Sequence, residues 1–241
     1  MDYEPMNRET LRKTAAMFHV KLDDPALERF ADYARLLQDW NEKINLTAIT
    51  DTREIVVKHF ADSLSILPLL DLPQGAKLID VGTGAGFPGI PLLIARPDLQ
   101  VTLLDSTKKK LAVLEDILAK LGLSATLLHA RAEDAGHDPV LREQFDLATA
   151  RAVAHLRELS EYCLPFVRLD GTFAAMKSAA AETELTESKA ALKLLGGSVD
   201  RVESFPLADV GERTVILIKK CAPISAKYPR LSAKIAKNPL K

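Results

Sequence analysis

The sequence is poor in cysteine and has no long apolar run. Cys163 and Cys221 are its only cysteines among 241 residues. Two are too few for a disulfide framework or a cysteine metal site, and they fit a reducing compartment. No stretch reaches the length of a membrane span, and the start of the chain lacks the basic and apolar segments of a signal peptide. These absences predict a cytoplasmic protein with neither a membrane nor a metal partner.

Charge is unevenly distributed, although the net charge is only −1. Seven Lys and Arg residues, and no Asp or Glu, lie from Lys219 onward. The body before that point therefore holds 25 basic and 33 acidic residues, a charge of −8, against +7 in the tail. A basic end on an acidic body predicts local contact with a polyanion. A solvated tail without a partner is the alternative.

One glycine-rich stretch, from Leu78 to Gly89, organises the rest of the chain. Its apolar start predicts the end of a buried strand, and the apolar run after Gly89 predicts a helix. Glycines in such a turn adopt left-handed backbone angles and let a ligand approach the main chain closely. The stretch therefore predicts a nucleotide-sized pocket at Gly82, Gly84 and Gly86.

Two cofactors fit this turn. The spacing Gly84-x-Gly86-x-x-Gly89, with Asp105 after the next strand, matches the NAD fingerprint. Asp80 at the strand exit would repel a pyrophosphate, but it would attract the ammonium and sulfonium groups of S-adenosylmethionine. S-adenosylmethionine is therefore the favoured cofactor, and an NAD-dependent dehydrogenase is the alternative.

The pattern along the chain changes near residue 73. Before it, apolar spacing predicts three helices, over about residues 7–20, 25–43 and 51–70, which form an N-terminal helical cap of residues 1–72. From 73 to 220, strands and helices alternate, which predicts an α/β fold with a mainly parallel, Rossmann-like sheet that ends in an antiparallel hairpin. Residues 221–241 are expected to form a basic tail of the same domain. His59 and Asp62 in the third helix are either surface residues or part of the active site.

Charged residues follow five predicted strands, where an open parallel sheet binds its ligand. These residues are Asp80, Asp105, Glu133, Arg151 and Lys177. Arg151 is expected near the methionine end of the donor or near the incoming acceptor, as a positioning residue. An ion pair of Arg151 with Asp80 or Glu133 is the alternative.

Other residues suit the adenosine part of the donor. Asp105 can accept hydrogen bonds from both ribose hydroxyls. Ala132 and Glu133, after the third strand, can meet the adenine edge. Phe87 can supply an apolar contact beside the glycine turn.

Motifs that the chain lacks limit which atom of a base can accept the methyl group. The chain has no Asn-Pro-Pro-Tyr or Asp-Pro-Pro-Tyr, so an exocyclic amino group is not favoured. Attack on a pyrimidine carbon would need a cysteine nucleophile, but neither Cys163 nor Cys221 is well placed. A ring nitrogen such as guanine N7 has a free lone pair, so positioning alone can support its methylation.

The tail combines an aromatic ring with cations, as single-stranded RNA sites do. It could hold RNA over the pocket. The residues expected to contact RNA are Lys177, Lys227, Tyr228, Arg230, Lys234 and Lys237.

Several motifs, in this order, resemble a known family, the bacterial small-subunit rRNA (guanine-N7) methyltransferases, historically called glucose-inhibited division protein B. The resemblance covers roughly Asn45 to the C-terminus. It depends on Asn45-Leu46-Thr47, His59 with Asp62-Ser63-Leu64, Asp80 to Pro91, Arg151-Ala152-Val153, Arg213 with Lys219, and Tyr228-Pro229-Arg230 with Pro239-Leu240. Ser178, Ala233 and Ile235 depart from the pattern of the family.

The resemblance implies a class I S-adenosylmethionine-dependent methyltransferase with a seven-stranded sheet. Its expected activity is methyl transfer to N7 of a guanine in the decoding-region loop of 16S rRNA, with either rRNA or the small ribosomal subunit as partner. We expect a monomer. The donor site, carried across from the family, falls on Gly82, Phe87, Ala132, Glu133 and Arg151. An RNA-binding protein that binds the donor without catalysis is the remaining alternative.

Overall fold

The structure, a computed structural model, describes residues 4–151, 154–178, 181–207 and 211–240. Ala152 and Val153 of the motif that begins at Arg151 lie outside the described residues, as do residues 1–3 at the start of the chain. In the described ranges, no helix has the length and apolarity needed to cross a bilayer.

The first two helices form as expected, with shorter bounds. Helix α1 spans Arg8–Met17 and helix α2 spans Asp24–Asn41. Both helices begin with an N-cap side chain. Asn7 accepts a hydrogen bond from the Thr10 amide, and Asp23 accepts one from the Ala26 amide. These caps satisfy amide groups that the first turn of a helix leaves without partners.

The third helix differs from the expected regular helix. It begins with α3 (Thr52–Glu54), widens into a π-helical segment (Ile55–Ala61) and ends with α4 (Asp62–Leu64). A short 3₁₀ turn, Leu67–Leu69, follows. The expectation of one helix to residue 70 was therefore wrong. The wide segment escaped prediction because apolar spacing does not distinguish a π turn from an α turn.

The described residues form one seven-stranded sheet at the centre of the fold, as expected. The strands are β1 (Lys77–Val81), β2 (Gln100–Asp105), β3 (Thr126–His129), β4 (Phe145–Arg151), β5 (Val167–Ser178), β6 (Gly197–Leu207) and β7 (Gly211–Lys220). Their order in the sheet is β3-β2-β1-β4-β5-β7-β6. The first five strands pair in parallel, while β7 is antiparallel to both β5 and β6. The predicted hairpin is thus confirmed.

Helices cover both faces of this sheet. Neighbouring β1 residues point to opposite faces and belong to separate apolar clusters. Leu78 is in the cluster that includes Phe30 of α2, and Ile79 is in the cluster that includes Tyr228 of the tail. The N-terminal helices therefore share a core with one face of the sheet, and the tail shares a core with the other. The remaining helices are α5 (Gly89–Ala95), α6 (Lys108–Leu121), α7 (Ala132–Ala135), α8 (Leu156–Cys163), α9 (Ala181–Leu194) and α10 (Ser232–Lys237).

Candidate active site

The glycine turn leaves β1 with left-handed backbone angles. The φ angles are 72° at Gly82, 59° at Gly84 and 96° at Gly86. A Cβ on Gly86 would lie 2.6 Å from both the Tyr33 hydroxyl and Ile90 Cδ1. That hydroxyl donates a 2.5 Å hydrogen bond to the Ala85 carbonyl. Helix α2 therefore contacts the glycine turn through Tyr33, and this contact leaves no room for a side chain at Gly86.

Asp80 has a structural role in the glycine turn. Its carboxylate is fully buried and accepts hydrogen bonds from the Thr83 hydroxyl (2.7 Å), the Gly89 amide (3.0 Å) and the Thr149 hydroxyl (3.2 Å). Burial raises the pKa of Asp80 to about 6, while these three donors oppose the rise. Because protein groups already bind the carboxylate, it holds the turn in place. The attraction of Asp80 for the cationic groups of the donor stays a prediction, and a fully buried carboxylate can exert it only through its charge.

A cavity of about 290 Å³ opens at the carboxyl ends of the first strands. We call it the donor cavity. Four of the expected donor-binding residues line it together. They are Gly82, Asp105, Ala132 and Glu133.

Asp105 is held at the mouth of this donor cavity by two backbone amides. Its Oδ2 atom accepts from Gly84 at 3.0 Å, and its Oδ1 atom accepts from Thr107 at 2.8 Å. The same carboxylate thus ties the glycine turn to the exit of β2. Each oxygen keeps a second lone pair for a ligand hydroxyl.

Sequence reasoning missed part of the donor cavity. Ser106, Glu158, Tyr162 and Ser232 also line it. Burial raises the pKa of the Tyr162 phenol, so that this ring remains neutral. Glu158 and Tyr162 are four residues apart on α8, a spacing that places both side chains on one helix face and that could have been noticed.

The donor cavity fits S-adenosylmethionine by its chemistry. Carboxylates of Asp105 and Glu133 offer acceptors for ribose hydroxyls and an adenine amino group. Leu104, Leu159 and the Tyr162 ring provide an apolar wall for a flat base. Bare backbone at the glycine turn allows close approach.

Arg151 lies over Phe87, at the other side of the turn. Its Cζ atom is 4.8 Å from the centre of the Phe87 ring, and the His59 ring stacks on Phe87 with centroids 4.3 Å apart. Arg151 donates to Asp62 Oδ2 at 3.0 Å, to the Lys58 carbonyl at 3.1 Å and to His59 Nδ1 at 3.1 Å. Its partner is therefore Asp62, and the alternative of an ion pair with Asp80 or Glu133 is wrong.

His59 and Asp62 are buried, which excludes the surface interpretation of these two residues. Arginine can only donate, so His59 Nδ1 accepts from Arg151 and Nε2 carries the proton toward Thr47 Oγ1, 2.9 Å away. Burial, followed by the charge of Arg151, lowers the pKa of His59 to about 3. The imidazole is neutral near pH 7.

A second cavity, of about 360 Å³, adjoins this cluster. We call it the cationic cavity, because the described residues that line it include four cations and two carboxylates. Asp62 joins two of the cations, since its other oxygen lies 3.3 Å from Arg213 Nε. The charged lining residues are Lys58, Asp62, Arg151, Lys177, Glu184 and Arg213.

Lys177 connects the two cavities. Its Nζ atom donates to the Ala154 carbonyl at 2.7 Å and lies 2.7 Å from Glu184 Oε2. Ala154 lines the donor cavity, whereas Lys177 and Glu184 line the cationic cavity. A ligand in either cavity would therefore lie next to a ligand in the other.

The tail packs on the protein more tightly than expected. Tyr228 is only 4% exposed, which leaves no open ring face for a base. Arg230 forms a two-bond ion pair with the buried Glu161, with both N–O distances 2.7 Å. Both residues anchor the tail, so the structure does not support the RNA contacts expected of them, because little of either side chain is exposed. Lys227, Lys234 and Lys237 are exposed.

Arg142 adds a second anchor for the tail. Its guanidinium donates to the carbonyls of Tyr228 (2.8 Å), Ile224 (3.0 Å) and Ser225 (3.2 Å). These bonds hold the segment that leads to Ser232 at the wall of the donor cavity.

Comparison with known proteins gives one consistent family. A model of the GidB family, described as rRNA small subunit methyltransferase G, matches residues 26–214. The "Ribosomal RNA small subunit methyltransferase G" of Acetivibrio thermocellus is 48% identical over 97% of this chain and 96% of its own length. The protein of the same name from Lactobacillus helveticus is 45% identical over 98% of this chain and 100% of its own.

Solved structures support the fold. A SAM-dependent O-methyltransferase from Thermotoga maritima superposes with a TM-score of 0.51 and 16% identity, covering 78% of this chain and 73% of its own. A variant of the 16S rRNA (adenine(1408)-N(1))-methyltransferase from Catenulisporales acidiphilia gives a TM-score of 0.53 at 15% identity, covering 63% and 88%. These likenesses confirm a class I methyltransferase fold, and the sequence matches show that the chain belongs to the rRNA small subunit methyltransferase G family.

Proposed function

We propose that this chain transfers a methyl group from S-adenosylmethionine to N7 of a guanine in the decoding-region loop of 16S rRNA. The observation that supports this most directly is the pair of adjoining cavities. Among the described residues, the donor cavity joins the backbone of Gly82 to three carboxylates, and the cationic cavity is lined by four cations. The first suits a donor without phosphate, and the second suits a polyanionic acceptor.

The residues that would hold the donor follow from the lining of the donor cavity. Asp105 accepts from the ribose hydroxyls, and Glu133 with Ala132 meets the adenine. Gly82 leaves its backbone open to the ligand. The bound donor supplies an electrophilic methyl group on a sulfonium.

The acceptor side lacks a free general base among the described residues. His59 is hydrogen-bonded at both ring nitrogens and has a pKa of about 3. The carboxylates of Asp62 and Glu184 are both ion-paired. Guanine N7 already carries a lone pair, so it needs no base, and catalysis then depends on positioning by Arg151 and its neighbours.

Exposed lysines offer contacts to the RNA backbone. Lys227, Lys234 and Lys237 lie on the outer side of the anchored tail. We infer that they bind phosphates, while Lys177 acts inside the cationic cavity. A 16S rRNA or small-subunit substrate implies that the chain, which we expect to be a monomer, acts in the cytoplasm.

Methyl transfer to ribosomal subunits tests this proposal. Small subunits that lack the modification are incubated with the protein and labelled S-adenosylmethionine, and the label is mapped by mass spectrometry. We expect one labelled guanine, modified at N7. Binding of donor and RNA without transfer of label would instead identify a binding protein. Calorimetry in which NADH binds and S-adenosylmethionine does not would contradict the donor assignment.

A further inference from the structure

The cationic cavity contains a largely buried ion pair between Lys177 of β5 and Glu184 of α9. The two side chains are 9% and 19% exposed, and Nζ lies 2.7 Å from Oε2. A buried pair of this kind contributes little to stability by itself, because the loss of hydration offsets the attraction. Its position in a cavity beside the donor cavity indicates a role in binding.

The hydrogen bonds of this pair leave one donor and one acceptor side by side. Lys177 has three N–H donors, and it uses one on the Ala154 carbonyl and one on Glu184. Glu184 uses Oε2 for Lys177 and for the Leu156 amide (2.8 Å). In the part of the chain that the structure describes, Oε1 of Glu184 accepts no hydrogen bond. A ligand can therefore meet one N–H and one carboxylate oxygen together.

Guanine matches this pattern and adenine opposes it. On guanine the O6 acceptor stands next to the N1–H donor, with the N2 amino group beyond. On adenine the corresponding positions are the N6 amino donor and the N1 acceptor. The Lys177 donor would then face a donor, and the Glu184 acceptor would face an acceptor. A polar site of this kind rejects the wrong ligand strongly, because its buried groups would be left unpaired.

We propose that Lys177 and Glu184 recognise the target guanine, with the Lys177 ammonium on O6 and Glu184 Oε1 on N1–H. This inference rests on the proposed function and names the base-reading residues of the same site. N7 lies on the opposite side of O6 from N1. Lys177 donates a hydrogen bond to the carbonyl of Ala154, which lines the donor cavity. With O6 on Lys177 and N1–H on Glu184, the N7 side of the guanine therefore faces the donor cavity.

The carboxylate also fits the charge change of the reaction. The lone pair of N7 forms the bond to the methyl carbon, and the electrons of the broken carbon–sulfur bond remain on sulfur. The positive charge passes from the sulfonium to the purine ring, and no proton leaves. A fixed carboxylate at N1–H stabilises this charge where it develops.

Substitution of Glu184 provides the first test. Glu184→Gln keeps the size of the side chain and removes its charge. We expect kcat/KM for unmodified small subunits to fall roughly 10- to 100-fold, as for loss of one charge-assisted hydrogen bond. The affinity for S-adenosylhomocysteine, measured by calorimetry, should stay unchanged. Glu182→Gln, an exposed residue on the same helix, is the matched control and should behave as wild type.

Normal methylation by Glu184→Gln would overturn the inference. A loss of donor affinity that equals the loss of methylation would also overturn it, because the pair would then belong to the donor site. If the wild-type protein itself transfers no label to subunits with guanine at the target, the proposed function fails instead. The two failures are thus distinguishable.

Base substitution in the RNA tests the same inference without altering the protein. Subunits reconstituted with inosine at the target keep O6, N1–H and N7, so wild-type protein should methylate them. Adenine and 2-aminopurine lack the O6 acceptor and the N1–H donor, so neither should be methylated. Equal methylation of inosine and 2-aminopurine, or rejection of inosine, would exclude recognition through O6 and N1–H.

Discussion

The ion pair between Glu161 and Arg230 should support both stability and donor binding. Glu161→Ala removes the buried carboxylate and leaves the Arg230 guanidinium, only 13% exposed, without its main partner. Hydrogen bonding to Glu161 raises the pKa of Arg230, which also indicates a strong pair. The tail would then lose this anchor, while the hydrogen bonds of Arg142 to the Tyr228 carbonyl and of His137 to the Pro229 carbonyl would remain.

The expected cost follows from the burial of both partners. Breaking a buried pair typically costs about 3–5 kcal/mol. Arg230 keeps a 3.1 Å hydrogen bond to the Asn238 carbonyl and some exposure, so we expect a value near the lower end, about 3 kcal/mol. Ser232 lies two residues after Arg230 and lines the donor cavity, so the affinity for S-adenosylhomocysteine should fall as well.

Urea denaturation measures the first effect, and calorimetry measures the second. The double variant Glu161→Leu with Arg230→Met is the control, because replacing both charges by apolar side chains is often neutral. A loss below about 1 kcal/mol for Glu161→Ala, or an equal loss for the double variant, would refute this account of the ion pair. Unchanged donor affinity in a destabilised Glu161→Ala protein would show that the tail does not shape the donor site.

Three further predictions concern the turn, the tail and the buried histidine. Gly84→Asp should abolish donor binding in calorimetry, because φ is 59° there and a carboxylate would enter the site, whereas Gly122→Asp, at a similar φ of 63° with open space around it, should bind normally. Replacing Lys234 and Lys237 by Ala should lower the log–log salt dependence of RNA binding by about 0.7 per phosphate contact, and an unchanged slope would assign both to solvent. His59→Gln should flatten the fall of unfolding free energy from pH 6.5 to pH 5. The pKa of His59 is about 3 in the folded protein, so between pH 6.5 and pH 5 this histidine gains a proton only in the unfolded chain. The unfolding free energy of the wild-type protein therefore falls by up to about 1.4 kcal/mol per pH unit through His59 alone. An equal slope in the wild-type and His59→Gln proteins would contradict this account of His59.

Local patterns in the sequence predicted the framework of the site well. Glycine spacing and strand periodicity are short-range signals, and they located the turn at Gly82 and the strand exits at Asp105, Glu133 and Arg151. The structure brings the turn and the first two of these exits to one cavity. Binding of the donor there stays a prediction.

Long-range pairing was not accessible from the sequence. Arg151 pairs with Asp62, 89 positions away, and Arg230 pairs with Glu161, 69 positions away. In the sequence, Arg230 therefore looked like a free cation. Tyr228 looked like a stacking ring, since nothing local indicates that it packs into an apolar cluster.

The π-helical segment Ile55–Ala61 sets the angular position of the helical residues after it. Successive residues of an α-helix are rotated by about 100° about the helix axis. A π-helical turn holds one more residue than an α-helical turn, while the helix before and after it keeps its regular geometry. Deleting a single residue from this segment would restore regular winding and rotate Asp62 by about 100° about the helix axis, away from Arg151 and Arg213. The number of residues in this segment therefore matters as much as their identity. Deletion of one residue should impair the cationic cavity more than most single substitutions in the segment.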